Sequence, residues 1–382
     1  MIPRFKPDLG WEEIRALFRR NRGAVERFEK EFAAAFQAVD AVAFPYGRSA
    51  QWAFFNAVGL KDAEVIMPAY TCSVVAHAVT LSGNTPKFID IKLGDYNMDL
   101  DAAEAAINEK TRAIIATHTF GYPQDLDRLE NMVQRAEARF GHRVWLVQDC
   151  CHAFGAEWNG RMIGTSGDVA VYAFNISKII TSIFGGMLTF QDKKLATKVR
   201  NWRDARFKTA GWGKKISRRL YLLSAGLAFQ SSIYRLTHWL HSKTPLLNRL
   251  IKAYHLDEEI LFPPDYTDKM LNVEAGVGLI QLNKYPTIIK QHRKRALHYA
   301  TLLRSNRDWH LPPIIKGATY SHYTVRVPKR EKVLAEYAKR GFELGQLIQY
   351  NIPGLKCYYN DDSDYPAARL ASRHTVNFPL RI

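Results

Sequence analysis

The chain contains no uninterrupted run of about 20 apolar residues, so a membrane-spanning helix is not expected from the sequence. Its opening, MIPRFKPDLGWEEIRALF, lacks the charged start, long apolar core and small-residue cleavage site of a secretory leader. Only four cysteines occur in 382 residues, Cys72, Cys150, Cys151 and Cys357. The adjacent pair makes a poor bridge and no CxxC spacing suggests zinc or a redox motif, which favours a reducing, cytoplasmic setting with no metal site. No helix-turn-helix, zinc or RNA-binding signature points to nucleic acid, and there is no internal repeat or low-complexity tract.

What is present is a 47% hydrophobic chain with 54 Lys and Arg against 37 Asp and Glu, a net charge of +17. Such a chain can bury one large core and a smaller second one, and it favours anionic partners. Apolar positions recur at helical spacing from Glu12 to Ala38. Short apolar runs follow, at Ala41–Phe44, Glu64–Met67, Thr85–Ile89, Ala113–Thr117, Val144–Gln148, Val169–Phe174 and Met187–Phe190, with helical patterns between most of them. Strands alternating with helices predict a mostly parallel sheet covered on both faces, with ligands at the carboxyl ends of its strands. We read a large α/β domain over 1–265, including a basic insertion at 208–262, and a smaller C-terminal α+β domain over 266–382. The smaller domain is marked by strand-like YSHYTVRV, helix-like REKVLAEYAKRG and a closing TVNFPLRI.

Three segments carry chemistry. In VWLVQDCCHAFGA, Asp149 directly follows an apolar strand, where a partly desolvated carboxylate needs a cation or a hydrogen-bond donor; a protonated pyridine nitrogen is one partner, a helix cap or salt bridge another. In YAFNISKIITSIFGGM, Lys178 occupies a polar loop ahead of paired glycines that permit unusual backbone angles near a ligand. An imine-forming lysine needs a neutral amine, which an enclosed setting favours. In PYGRSAQWAFFNAVGL, Gly47, Arg48, Ser49 and Ala50 join a strand to a helix, placing free N–H groups and a hydroxyl at a helix start. That is an anion site for any small phosphate ligand or an ordinary serine helix cap, and it fits neither nucleotide fingerprint, GxxxxGK[ST] or GxGxxG.

Together these segments resemble the DegT-type (DegT/DnrJ/StrS) sugar aminotransferases, pyridoxal-phosphate enzymes of the aspartate-aminotransferase fold (fold type I). The likeness extends from AVERFEKEFA and PYGRSAQWA, through VIMPAYTCSVVAHAVTLSGNTPKFIDI and TRAIIATHTFGYPQDLD, to KMLNVEAGVGLIQLNKY and YTVRVPKREKVLAEYAKRG. By that resemblance the large domain binds the cofactor. Lys178 forms its Schiff base and shuttles the proton, Asp149 contacts the pyridinium nitrogen, and His152 lies against the ring. The resemblance also implies that Ser49 and Ala50 contact the phosphate, that Lys269 reaches it from the other subunit, and that the enzyme is a homodimer with shared active sites. Cys72 stands where relatives often stack an aromatic ring, a role that neighbouring Tyr70 could take over. Ala173 replaces a phosphate-binding Ser, shifting that task toward Lys269 and Ser177, and Phe184 replaces an acidic residue.

The expected reaction moves an amino group from glutamate or glutamine to a keto-sugar, nucleotide-linked, in surface polysaccharide or amino-sugar synthesis. Dehydration, amination of a cyclitol or other ketone, and a non-catalytic membrane-associated or regulatory role are the alternatives; retention of Lys178 argues against dehydration. Residues 208–256 hold nine Lys or Arg and no acid. Within 217–243, Leu222, Ala225, Phe229, Ile233, Leu236 and Leu240 form one apolar stripe near Arg218, Arg219, Arg235 and Lys243. The stripe either packs on its own protein or its dimer mate, or makes a peripheral contact with the inner membrane face.

Overall fold

The computed structural model describes residues 1–19, 21–230, 234 and 259–381. The continuous helical periodicity from Glu12 to Ala38 resolves into two helices, α1 (Trp11–Phe18) and α2 (Ala24–Ala35). Arg19 is extended at φ −75°, ψ 152°, and Gly23 takes a left-handed φ of 64°, so the chain breaks where periodicity alone would continue. The α2 start is capped from far along the chain, because Asn272 Oδ1 accepts N–H bonds from Ala24 and Val25 at 3.1 and 3.3 Å.

All seven expected strands form. β1 (Asp40–Phe44), β2 (Glu64–Pro68), β3 (Thr85–Ile89), β4 (Thr111–Thr117) and β5 (Trp145–Asp149) are followed by a small hairpin, β6 (Glu157–Trp158) and β7 (Arg161–Met162), then by β8 (Val169–Ala173) and β9 (Gly186–Phe190). The seven-stranded sheet has the order β1-β9-β8-β5-β4-β2-β3. The middle strands are parallel, while β9 runs antiparallel to both β8 and β1. Val65, Ile66, Met67, Ile114 and Ile115 are fully buried, as expected of strands covered on both faces. The cover comes from α3 (Gly47–Val58), α4 (Ser73–Leu81), α5 (Leu100–Ala106), α6 (Leu126–Phe140) and α7 (Lys193–Arg206).

Register positions the site. Thr117 and Val171 flank Asp149 on neighbouring strands. Gly186 pairs with both Phe44 and Ala173. The ends of β1, β4, β5 and β8 and the start of β9 therefore share one edge.

After the sheet come α8 (Trp212–Ala228) and the 31-residue α9 (Asn272–Leu302), which continues through Pro286. The C-terminal part pairs β10 (Tyr323–Arg326) with β11 (Thr375–Phe378), alongside α10 (Arg330–Lys339) and α11 (Pro366–His374). The first residues return to it through a bridge between Ile2 and Phe342. In the insertion, Leu222 is buried and Phe229 packs on Phe5 with ring centroids 4.7 Å apart. This part of the expected stripe thus faces its own protein. Ile233, Leu236, Leu240, Arg235 and Lys243 lie outside the described residues.

Candidate active site

Asp149, the last residue of β5, is buried. Its Oδ2 accepts a hydrogen bond from Thr117 Oγ1 at 3.2 Å and its Oδ1 accepts one from the Cys151 N–H at 3.1 Å. The carboxylate is thus aimed both by the neighbouring strand and by its own turn. Behind it, His118 Nδ1 accepts the Gln124 N–H at 3.0 Å, which leaves Nε2 to carry the proton and donate to Gln148 Oε1 at 2.8 Å. Burial pushes the His118 pKa down to about 4, so this ring is a neutral structural element at neutral pH.

His152 follows three residues after Asp149. Its ring stacks on Phe120 with centroids 6.1 Å apart and planes 16° apart, and it lies 5.9 Å from the His322 ring. Burial, then the positive charge of Lys178 and His322, holds His152 well below the usual histidine range. Burial and Lys178 likewise push His322 down to about 3. The same charge acts on Cys151, where burial dominates and raises the thiol. Lys178 is thus close enough to act electrostatically on Cys151, His152 and His322, near the Asp149 turn.

Lys178 is itself half-buried in a loop tied back to β8. The Phe174 carbonyl accepts from the Ser182 N–H and from Thr181 Oγ1, and the Phe174 N–H donates to Gly185 O. Ser177 Oγ and N–H both donate to Asn175 Oδ1, at 2.7 and 3.1 Å, closing the turn that carries Lys178. The Ser177 hydroxyl is therefore engaged within its own loop. Ile183 is fully buried at φ 74°, a strained angle for a β-branched residue and one that occurs beside the glycine pair of this loop.

The helix start at α3 sits directly on this loop. A Cβ at Gly47 would lie 2.8 Å from Ala173 Cβ, and one at Gly186 would lie 2.4 Å from the Tyr46 carbonyl, so the close approach requires glycine at both positions. The first-turn N–H groups have no acceptor inside the helix. Ser49 Oγ is buried without a partner, whereas the Ala50 N–H donates to Tyr46 O at 3.0 Å and its methyl packs in the core.

Other expected positions lie further out. Lys269 pairs with Asp204 at 2.9 Å, while its neighbour Met270 packs against Gly185. Cys72 precedes α4 and is half-buried. Tyr70 does not offer a free ring in its place: it is fully buried, its hydroxyl engages Ile348 O and Thr375 Oγ1 at 3.2 Å, and its ring packs with Tyr96 and Phe120.

Three residues of this region have no role in the sequence reading, and a fourth, Arg218, is read there only as a basic flank of the apolar stripe. Thr117 could have been found, since it ends a strand as Asp149 does. Phe120, at φ 54°, and His322, in the bend just before β10, carry no local signal. The structure gives Arg218 a different place from that flank. Its side chain lies 4.0 Å over the Phe184 ring, 2.6 Å from Tyr46 Oη, 2.8 Å from Asp265 and 3.0 Å from Glu274. A buried arginine thus braces both sides of Gly186, and Phe184 is its stacking surface.

The architecture and the edge-on site can be compared with known proteins. The sugar aminotransferase CalS13 from Micromonospora echinospora superimposes with a TM-score of 0.78 over all of this chain and 95% of that one, at 20% identity, a likeness of fold. The GDP-perosamine synthase of Escherichia coli O157:H7 is 32% identical over 359 residues, covering 93% of this chain and 84% of that protein. The spore coat polysaccharide biosynthesis protein SpsC of Bacillus subtilis (strain 168) is 25% identical, covering 99% and 92%. The molecule is a pyridoxal-phosphate-dependent aminotransferase of the aspartate-aminotransferase fold. Residues 17–381 match the DegT/DnrJ/EryC1/StrS aminotransferase family, to which the chain belongs.

The residues present fit that cofactor. Buried polar atoms are nearly always partnered, yet Ser49 Oγ and His152 Nδ1 are buried with no partner among the described residues. One lies at the anion-receiving helix start and the other above the Asp149 turn, where a phosphate and an aromatic ring would meet them.

Proposed function

We propose that this enzyme transfers an amino group from glutamate or glutamine to a nucleotide-linked keto-sugar, in the synthesis of a surface polysaccharide or amino-sugar. The observation that carries the chemistry is the oriented Asp149 carboxylate with His152 stacked on Phe120 beside it, within the electrostatic reach of Lys178. The sugar class is supported by the names of the relatives, a GDP-perosamine synthase and a spore coat polysaccharide protein.

When bound, pyridoxal phosphate supplies an electron sink for negative charge at the substrate carbon. Asp149 would pair with its ring nitrogen, with Thr117 and Cys151 fixing the carboxylate. His152, stacked on Phe120, would face the ring as a neutral imidazole. Ser49 and the first turn of α3 would receive the phosphate, with Ala50 packing behind them and Cys72 and Ser177 at the rim. Lys178 would hold and move the proton at its Nζ, on a loop whose ties to Phe174 restrain its motion. Lys269, paired with Asp204 and lining a surface cavity, would serve a partner's site in a cytoplasmic homodimer. We take 1–265 as the cofactor-binding domain and 266–382 as the small one.

Visible spectra of wild type and Lys178→Ala, supplied with pyridoxal phosphate and then glutamate, test the reading. The expected result is a wild-type band that shifts on adding glutamate and is missing in the variant, followed by amination of a nucleotide keto-sugar panel. A wild-type protein without a band, or one indifferent to every amino donor, would overturn it.

A further inference from the structure

Helix α8 is apolar on two sides. One side holds the buried Arg218 and Leu222. On the other, Trp212, Ile216, Leu220 and Leu227 are 78%, 53%, 58% and 55% exposed. At about 100° per residue these four fall within an arc of about 80°, roughly opposite the buried side. A solvated helix face should be polar, and α8 contains no acidic residue at all.

One edge of the arc is basic. Lys215 and Arg219 border it and line a cavity of about 490 Å³, together with Arg19, Arg22, Lys269 and the 73% exposed Phe18. Among the described residues, Arg19, Arg22 and Lys215 have no carboxylate partner. Arg219 donates only to the carbonyls of Leu17 and Lys215. Lys215 Nζ sits 5.0 Å over the Trp212 ring, joining the cationic edge to the apolar arc. Uncompensated cations crowded around a cavity repel one another and are stabilised by an incoming anion.

We propose that α8 seats the enzyme on an anionic bilayer surface, with Trp212, Ile216, Leu220 and Leu227 in the headgroup–acyl boundary and Arg19, Arg22, Lys215 and Arg219 taking lipid phosphates. Charge at the rim selects this occupant, because two copies meeting arc to arc would set the basic edge of Arg19, Arg22, Lys215 and Arg219 against its own like. An anionic leaflet supplies the complement. The helix lies on the membrane, since no helix among the described residues is long and apolar enough to cross one. The inference does not depend on the substrate named above.

Cosedimentation of the full chain with vesicles tests it, comparing pure phosphatidylcholine with phosphatidylcholine containing phosphatidylglycerol. Wild type should bind the anionic vesicles only, and less tightly as salt rises. Trp212→Ser/Ile216→Ser/Leu220→Ser should lose at least about tenfold in affinity, and Arg22→Glu/Lys215→Glu a similar factor, at about fivefold per charge removed. Both variants alter exposed side chains outside the cofactor site and should keep the cofactor's absorption band. The proposal fails if wild type does not bind anionic vesicles, or if the variants bind as wild type does. It also fails if the triple serine variant sediments at half the wild-type mass, which would make the arc a contact between copies.

Discussion

Thr117 and Asp149 are opposite one another on adjacent parallel strands, and the threonine hydroxyl reaches the carboxylate at 3.2 Å. With the Cys151 N–H on the other oxygen, this leaves little rotational freedom for the group expected to face the cofactor ring. Thr117→Val keeps the shape of the side chain and removes the donor. Hydrogen bonds to charged groups contribute about 1.5–3 kcal/mol, so turnover should fall about tenfold or more while the fold persists. Steady-state kinetics beside circular dichroism check this; an unchanged kcat would show that Asp149 does not need the aim.

The helix start that would receive the phosphate offers a loss and a gain. Ser49→Ala removes the unpartnered hydroxyl and should raise the pyridoxal phosphate Kd about fivefold, on the order of 1 kcal/mol. Ala173→Ser places a new hydroxyl beside Gly47 and should lower the Kd by a smaller factor. Gly47→Ala, whose new methyl would meet Ala173 at 2.8 Å, should weaken binding more than either. Fluorescence or absorbance titration of the apoprotein gives the order directly.

Arg218 holds Glu274, Asp265 and Tyr46 together under Phe184. Glu274 is fully buried, and desolvation, opposed by Arg218, lifts its pKa to about 7. Arg218→Met leaves a buried carboxyl without its cation, at a cost of about 3–5 kcal/mol. Melting should drop by several degrees, and Arg218→Met/Glu274→Gln should recover part of the loss. A double variant no more stable than the single one would show that the pair is not coupled.

Acid should destabilise the fold well before its carboxylates titrate. His118, His292 and His322 have pKa values lowered to about 4, 3 and 3, mainly by burial. Between those values and about 6.5 the unfolded chain binds protons that the native state refuses, so stability rises with pH across that window. Glu274 works in the opposite sense, because its raised value makes the native state hold a proton more tightly. His152, held well below the usual range, adds to the same slope, and four histidines against one glutamate give a net rise of about 4 kcal/mol per pH unit near pH 5. Melting temperatures measured at pH 7 and pH 5 report it, and equal values would refute the account.

The sheet was largely legible because each strand is a short apolar run bounded by turn residues, and a doubly covered strand needs little else. Asp149 was legible because it directly follows such a run, and Lys178 and Ser49 because they stand in the polar segments a few residues beyond one; parallel topology sends strand ends to one edge. The break between α1 and α2 was not, since it depends on Gly23 and on Asn272, which arrives from the other end of the chain. His322 and Phe120 were hidden for a similar reason: what makes them part of the site is a packing contact between segments about 200 residues apart. The outward arc of α8 was missed because the inward stripe of Leu222 and Phe229 explained the same helix first. Nothing in periodicity says that a helix has two apolar sides for two different solvents.

The place of β1 in the sheet bears on how the chain is made. The first strand synthesised is an edge strand of the sheet, paired among the described residues with β9, the last of the seven. At about 5–20 residues per second, Phe44 waits roughly 10–30 s for Gly186 to be translated. Throughout that interval DAVAF is an apolar strand with both edges open, the kind of segment that chaperones shield and that pairs with its own copies. Ribosome-bound chains halted before residue 186 should therefore be cut by protease within β1, and those carrying β9 clear of the exit tunnel should be protected. On this topology the sheet closes late and all at once, so a slow step in translation ahead of β9 would lower the yield of folded enzyme without changing a single residue of its site.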